Sequence, residues 1–251
     1  MIIINDISKR YADTTVVDAV DLELPQGGVT SIIGANGAGK STLLSIVSRL
    51  IEADGGSVSI DGLDLRGTAN NVLARKLSVL RQDNNTAVRL PVRELVEFGR
   101  FPHSKGRLTA VDREAVDRAI ECTDLQGFED RFLDQLSGGQ RQRAFVAMVL
   151  AQDTDYVLLD EPLNNLDMSH SRNMMRLLRR MAHDMGKTVV IVIHDINFAS
   201  VNSDRIVAMR RGRIIADGPV DEILVPEVLN SVYDMDIEVH DVGGRRIAVY
   251  F

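Results

Sequence analysis

The fold of this 251-residue chain is decided by one segment, Gly34-Ala35-Asn36-Gly37-Ala38-Gly39-Lys40-Ser41, which is followed by Thr42. A short β-branched run, Val29–Ile33, precedes it, and residues 42–50 carry apolar side chains at helical spacing. A strand, a glycine-rich loop and a helix in this order are typical of a phosphate-binding loop, because glycines let successive backbone N–H groups converge on phosphate oxygens. We therefore predict that residues 34–42 bind the phosphates of a nucleotide; a plain glycine turn is the alternative.

Two side chains at the end of this loop have separate predicted roles. Lys40 is placed to reach the β- and γ-phosphates, and Ser41 carries a hydroxyl that can ligate Mg²⁺. The N-terminus of the following helix adds a partial positive charge. The predicted ligands are therefore a nucleotide and Mg²⁺.

Composition narrows the class of protein. A formal net charge of −7 argues against a dedicated nucleic-acid-binding protein, because such proteins need a basic surface that displaces counterions from phosphates. No run approaches the roughly 20 apolar residues that span a bilayer, and the first residues lack the pattern of a signal peptide. We expect a cytosolic protein whose membrane role comes through a partner.

Two sheet-like regions flank a helical stretch. Residues 2–7 and 16–24 alternate or run apolar with β-branched side chains, which predicts an antiparallel layer. Residues 83–152 are interpreted as a helical subdomain inserted into an α/β core. The predicted fold is thus a single α/β domain over residues 1–251. Its core is a mainly parallel sheet of the kind found in phosphate-loop nucleotide hydrolases, with an N-terminal antiparallel β layer and the inserted helical subdomain. Hairpins and short helices are expected over residues 205–251.

Polar side chains follow two continuous apolar runs that suit strands of a buried parallel sheet. Asp160 and Glu161 follow the run at 156–159, and His194 follows the run at 188–193. Ligands bind beyond the carboxyl ends of such strands. Asp160 is therefore predicted to hold the metal through water and Glu161 to deprotonate the attacking water; a pair of acids capping the next turn is the alternative.

A second phosphate-binding surface is predicted at Leu136-Ser137-Gly138-Gly139-Gln140. Ser137 can cap a helix, with Gln140 reaching back to it, and an apolar stripe follows. The glycines leave backbone N–H groups bare at the positive end of that helix. A chain with two such surfaces either folds one onto the other or uses them between copies.

Together with Gln82, Leu166-Asp167 and His194, these motifs resemble the nucleotide-binding subunit of an ATP-binding-cassette (ABC) transporter over essentially the whole chain. The resemblance implies that two copies pair head to tail, so that Ser137 and the following glycines of one copy close over the γ-phosphate of ATP held by the other. Ala35 departs from this pattern, since proline is common there. We have no account from the sequence of Leu163-Asn164-Asn165, which precede the interface aspartate.

The same resemblance implies roles for individual residues. Tyr11 would stack on adenine, and Asp167 would cross the dimer interface. Gln82 would sense Mg²⁺ and the attacking water, and His194 would contact the γ-phosphate. A structural role is the alternative for His194, because a lone histidine after a strand is more often structural.

The partner implied is a membrane importer. The chain contains no long heptad repeats, no second cassette and no fused membrane helices. This leaves a separate ATPase subunit that docks on two permease subunits. Such a subunit is expected to be peripheral to the cytoplasmic face of a bacterial membrane. An extracellular or periplasmic solute-binding protein would take part indirectly.

Resemblance alone suggests the transported solute. Residues 95–103 and 106–109 are similar to subunits serving ferric siderophores, haem and cobalamin, and residues 145–156 and 195–200 to those of petrobactin-type ferric siderophore importers. Haem or cobalamin import, a cassette ATPase outside transport and a soluble kinase are the alternatives. The five histidines are scattered, so no iron site is expected. The permease is expected to dock around residues 82–103, with Arg100 and Phe101 as contacts.

Overall fold

The computed structural model describes residues 1–82, 84, 88–164 and 166–250. Its strands are β1 (Ile2–Tyr11), β2 (Thr14–Leu24), β3 (Val29–Ile33), β4 (Gly55–Ile60), β5 (Leu63–Asp64), β6 (Leu77–Leu80), β7 (Tyr156–Asp160), β8 (Thr188–Val192), β9 (Arg205–Arg210), β10 (Arg213–Pro219), β11 (Glu238–Asp241) and β12 (Arg246–Val249). Its helices are α1 (Lys40–Val47), α2 (Asn70–Leu73), α3 (Val92–Phe98), α4 (Phe101–Ser104), α5 (Ala110–Cys122), α6 (Gly138–Ala151), α7 (Met168–His183), α8 (Ile196–Asn202), α9 (Val220–Ile223) and α10 (Pro226–Tyr233), with a 3₁₀ turn at Leu133–Gln135.

The N-terminal layer is an antiparallel sheet in the order β2-β1-β4-β5. Ile2 pairs with Leu24 on one side and with Ile60 on the other, and all three side chains are buried. These apolar residues share one face because side chains alternate along a strand. The predicted antiparallel layer is therefore present.

The central sheet places the candidate site. Its order is β10-β9-β3-β8-β7-β6, with all neighbours parallel except the β9–β10 hairpin. Every residue of β3, β7 and β8 is buried, because layers cover both faces. The carboxyl ends of these three adjacent strands meet at one edge, and each delivers a predicted functional segment there.

The mostly helical stretch lies between β6 and β7, which are parallel neighbours. Within it, α3 and α5 both pack against α6. Thr109 caps α5 in a reciprocal capping box with Asp112, which the sequence predicted. The predicted start of the subdomain, at residue 83, lies outside the described residues.

Two apolar cores cover the faces of the central sheet. One joins the antiparallel layer and α1 to the sheet, and the other joins it to the larger helices of the opposite side. The β11–β12 hairpin packs on α8, where the Asn197 side chain donates to the Ala248 carbonyl and accepts from the Ala248 N–H. In the part of the chain that the structure describes, no helix is long and apolar enough to cross a membrane.

Candidate nucleotide-binding site

The glycine-rich loop runs from the end of β3 to the start of α1 and fits tightly between two strands. Gly34 has φ 145°, and a Cβ there would lie 2.1 Å from the Met209 carbonyl oxygen of β9. Gly39 has φ 99°, and a Cβ there would lie 2.5 Å from the Val16 carbonyl oxygen of β2. Both positions need glycine because of the positive φ and because backbone occupies the space of a side chain.

Lys40 points back into the loop. Its Nζ donates to the carbonyl oxygens of Gly34 at 2.8 Å and Ala35 at 3.0 Å. Burial lowers the pKa of this ammonium, and the nearby carboxylates of Glu161 and Asp160 oppose that shift. The loop therefore holds a buried positive charge at its centre, where a bound phosphate would lie.

Ser41 and Asp160, two of the three residues predicted to hold Mg²⁺ together with Gln82, lie side by side. The Ser41 hydroxyl donates to Asp160 Oδ1 at 2.8 Å. Burial raises the pKa of Asp160, although the Ser41 hydrogen bond acts in the opposite direction. A hydroxyl and a carboxylate are hard oxygen donors of the kind that Mg²⁺ prefers, with nucleotide phosphates supplying others. The donor set therefore fits the predicted ion.

Glu161 is the centre of a hydrogen-bonded cluster just beyond β7. Its Oε2 accepts from Gln82 Nε2 at 2.7 Å and from Asn164 Nδ2, and its Oε1 contacts His194 Nε2. The carboxylate is buried, and its backbone has φ 50°, a left-handed conformation that costs a non-glycine residue about 1–2 kcal/mol. The structure thus brings together the three predicted catalytic residues Glu161, Gln82 and His194.

Asn164 is a site residue that the sequence did not identify. It lies in the segment 163–165, for which the motifs gave no explanation, and its contact with Glu161 now gives its side chain a clear position. Its neighbour Asn165 lies outside the described residues. The available signal was an asparagine three positions after Glu161, because in a turn that follows a strand such a side chain can fold back to an earlier residue.

Apart from Asp160, the side chains described above line one cavity of about 450 Å³. Its walls are Asn36, Gly37, Ala38, Gly39, Lys40, Ser41, Thr42, Gln82, Glu161, Asn164 and His194. The cavity joins the loop's backbone donors and lysine to the buried carboxylate. That arrangement can hold a polyphosphate and place a water molecule beside a base.

The segment Leu136–Gln140 is not part of this cavity. Ser137 caps α6, which starts at Gly138, and forms the predicted capping box with Gln140. Gly139 packs under the His170 ring, whose Cδ2 would lie 2.4 Å from a Cβ at this position. The sequence left two possibilities open: the two phosphate-binding surfaces fold onto each other, or they act between copies. Within this chain the first arrangement is not observed.

Two further predicted site residues also lie away from the cavity lining. Tyr11, at the end of β1, is exposed, and the Lys9 ammonium lies 5.7 Å from its ring centre. Asp167 caps α7 by accepting from the His170 N–H at 2.8 Å. Their proposed contacts with adenine and with a second copy stay predictions.

The proposed permease-docking surface needs one correction. Arg100 is buried, donating from Nε to Asp112 Oδ1 at 2.9 Å and from Nη1 to the Ala151 carbonyl at 2.8 Å. Hydrogen bonds from Thr109, together with this guanidinium, lower the pKa of Asp112 to about 2. Arg100 therefore joins α4, α5 and α6 and does not face a partner. Phe101 is 60% exposed and Phe98 is 55% exposed, so these two aromatic rings of the proposed docking surface are accessible to a partner.

Comparison with known proteins identifies the family. Residues 17–164 match the family model described as ABC transporter. The chain is 51% identical over 251 residues to the petrobactin import ATP-binding protein YclP of Bacillus subtilis (strain 168), covering 100% of each chain. It is 48% identical over 250 residues to the petrobactin import ATP-binding protein FatE of Bacillus anthracis, again covering 100% of each.

A solved structure agrees in fold. The dimeric post-hydrolysis state of the ATP-binding cassette MJ0796 bound to ADP and Pi superposes with a TM-score of 0.78 and 28% identity, over 88% of this chain and 99% of that one. The α/β fold with its antiparallel layer is that of an ABC nucleotide-binding domain, as the sequence predicted. On this evidence the chain belongs to the ABC transporter family, as one of its ATP-binding ATPases.

Proposed function

We propose that this chain is the ATP-hydrolysing subunit of a membrane importer for ferric siderophores of the petrobactin class. Two relatives that match it from end to end, at 51% and 48% identity, are named petrobactin import ATP-binding proteins. The observation within the chain that supports hydrolysis is the position of Glu161, buried at the cavity edge and fixed by Gln82, Asn164 and His194.

The loop and its lysine bind and orient the nucleotide phosphates. Backbone N–H groups of residues 36–41 and the Lys40 ammonium neutralise the negative charge of the β- and γ-phosphates. Ser41 and Asp160 would hold Mg²⁺, which, when bound, would offset the charge that develops on the phosphate oxygens. Gln82 would sense Mg²⁺ and the attacking water from the wall of the same cavity.

Glu161 acts as the general base. The donors on its two oxygens fix its orientation, and a carboxylate with about four lone-pair sites keeps acceptor capacity for a water molecule. It orients that water and takes its proton as the water attacks the γ-phosphate. His194, which already contacts Glu161, is close enough to the cavity to donate to the γ-phosphate.

The site is completed by a second copy. Ser137 and Gly138 are exposed at the N-terminus of α6, outside the cavity of their own chain, and Gly139 is buried under the His170 ring. A head-to-tail pair would place this terminus over the γ-phosphate of the other copy. Asp167 would cross the same interface, and Tyr11 would stack on adenine.

Closure of the dimer moves two permease subunits through the surfaces that contact them. The exposed rings of Phe98 and Phe101 lie at the junction of α3 and α4, in the stretch that follows Gln82. The subunit would thus act at the cytoplasmic face of the membrane, with a solute-binding protein on the other side.

Deletion of the gene tests the solute. Growth on ferric petrobactin as the only iron source should be lost and should return with the wild-type gene but not with the Glu161→Gln variant. Unimpaired growth on petrobactin would contradict the proposal, and a defect confined to haem or cobalamin would redirect it to those solutes.

A further inference from the structure

A basic groove lies apart from the cavity at the glycine-rich loop and shares no lining residue with it. It has a volume of about 470 Å³ and runs between α7, α8 and the turn of the β11–β12 hairpin. Four arginines line it: Arg172, Arg176, Arg179 and Arg245. We call it the arginine groove.

The positive charge in the arginine groove is largely uncompensated. Arg172, Arg176 and Arg245 are exposed, and none of their three guanidinium groups forms a hydrogen bond or ion pair with another described residue. Arg179 is half-buried and donates to the Asn202 carbonyl oxygen at 3.1 Å. A chain with 36 acidic and 29 basic residues would ordinarily intersperse carboxylates among such arginines, so their concentration indicates an anionic ligand.

One carboxylate, that of Asp195, also lines the groove. Its Oδ1 already accepts from the Phe198 N–H at 2.9 Å and so caps α8. Four guanidinium groups against one carboxylate leave a clear positive excess among the described lining residues. A single monovalent anion would not balance it, which favours a ligand with several negative charges.

The arrangement of the arginines also suits a phosphate ligand. Residues 172, 176 and 179 follow one another at spacings of four and three along α7, which places them on the same helix face. Guanidinium groups are planar forks that bind phosphate through two parallel hydrogen bonds. Phe198 and Val201 of α8 form an apolar wall, and the volume is within the range of small-molecule sites.

We propose that the arginine groove is a second anion site, which binds a small molecule carrying two or more linked phosphate groups. It shares no lining residue with the cavity at the glycine-rich loop. Binding there is therefore independent of nucleotide held at Lys40, and does not rest on the proposed transport function.

Calorimetric titration with inorganic tripolyphosphate tests the proposal. The protein is first saturated with MgADP, so that the loop at Lys40 is occupied. We expect saturable binding of one tripolyphosphate per chain, weakened about tenfold or more in the Arg172→Ala/Arg176→Ala double variant, because each lost guanidinium removes a charge-assisted hydrogen-bonding group. Arg180→Ala, an exposed arginine of the same helix outside the groove, is the matched control and should bind like the wild type.

Absence of saturable binding, or equal affinity of the wild type and the double variant, would overturn the proposal. A second arm separates a free polyphosphate from a phospholipid headgroup as the source of phosphate. Co-sedimentation with phosphatidylglycerol vesicles should not depend on Arg172 and Arg176. Vesicle binding that needs both arginines and is not displaced by tripolyphosphate would assign the groove to lipid and contradict the free-anion site.

Discussion

Gln82 Nε2 lies 2.7 Å from Glu161 Oε2. Gln82 follows β6 at the entrance to the helical stretch, and Glu161 follows β7, so this hydrogen bond joins the ends of two neighbouring parallel strands. Any movement of the helical stretch that shifts Gln82 removes a donor from the proposed base. The contact therefore provides a direct physical link between the surface proposed for permease docking and the proposed hydrolytic centre.

Replacing Glu161 with Gln should leave the site assembled but without a base. We expect nucleotide affinity within a few-fold of wild type and a fall in turnover of about 10² to 10⁴, the usual contribution of a general base. Phosphate release and equilibrium nucleotide binding would be measured on the same preparation. Wild-type turnover in this variant would show that Glu161 is not the base.

Asn164 should hold the Glu161 carboxylate in place. In Asn164→Ala the donor to Glu161 Oε2 is lost, and the loss of a hydrogen bond to a charged group should lower turnover by about tenfold. Nucleotide affinity should stay within a few-fold of wild type, and both would be measured on the same preparation. Asn173→Ala, an exposed substitution on α7, is the control and should keep wild-type turnover; unchanged turnover in Asn164→Ala would remove this role.

The buried Asp160 carboxylate should lower the stability of the folded, nucleotide-free protein. Burial raises its pKa, so the folded state binds the proton more tightly than the unfolded chain, and the associated stability declines as pH rises through these pKa values. Asp160→Asn should thus raise the melting temperature at pH 7.5 by about 2 °C or more while weakening Mg²⁺-dependent hydrolysis.

The control for this comparison is Asp184→Asn, which is exposed and should change the melting temperature little. A lower melting temperature for Asp160→Asn than for the wild type would mean that its bond with Ser41 outweighs the burial of its charge.

Arg100 and Phe101 are adjacent but should behave oppositely. Arg100→Gln leaves the buried Asp112 carboxylate without its charged partner, which should destabilise the protein by about 3 kcal/mol. Phe101→Ala removes an exposed ring, and should lower transport-coupled hydrolysis in the assembled complex with little change in melting temperature. Thermal unfolding and uptake assays on both variants separate the two roles, and a stable Arg100→Gln protein would contradict the first.

Residue patterns predicted the layers of this fold because the relevant signals are local. The loop from Gly34 to Ser41 and the capping box of Ser137 and Gln140 each depend on neighbouring residues. The surroundings of Arg100 depend instead on Asp112 and the Ala151 carbonyl, contacts that no local periodicity reveals. For the same reason Arg100 was wrongly assigned to the permease-docking surface.

The site was also only partly predictable. Glu161 and His194 were identifiable because each follows a buried apolar run, whereas Asn164 has no such position. Its role emerges only when the turn after β7 brings its amide to Glu161. The arginine groove combines α7 with Arg245, far along the chain, and so required the folded arrangement.

Mixing two inactive variants tests the shared site most directly. In a head-to-tail pair of Lys40→Ala with Ser137→Arg, one of the two sites contains an intact loop from one copy and an intact Ser137 from the other. Mixing should therefore restore phosphate release, up to about a quarter of the wild-type rate for random pairing. Lys40→Ala mixed with Glu161→Gln should stay inactive, because each site then contains a defect. Failure of the first mixture to recover activity, with mixed dimers shown to form, would contradict a site built from two copies.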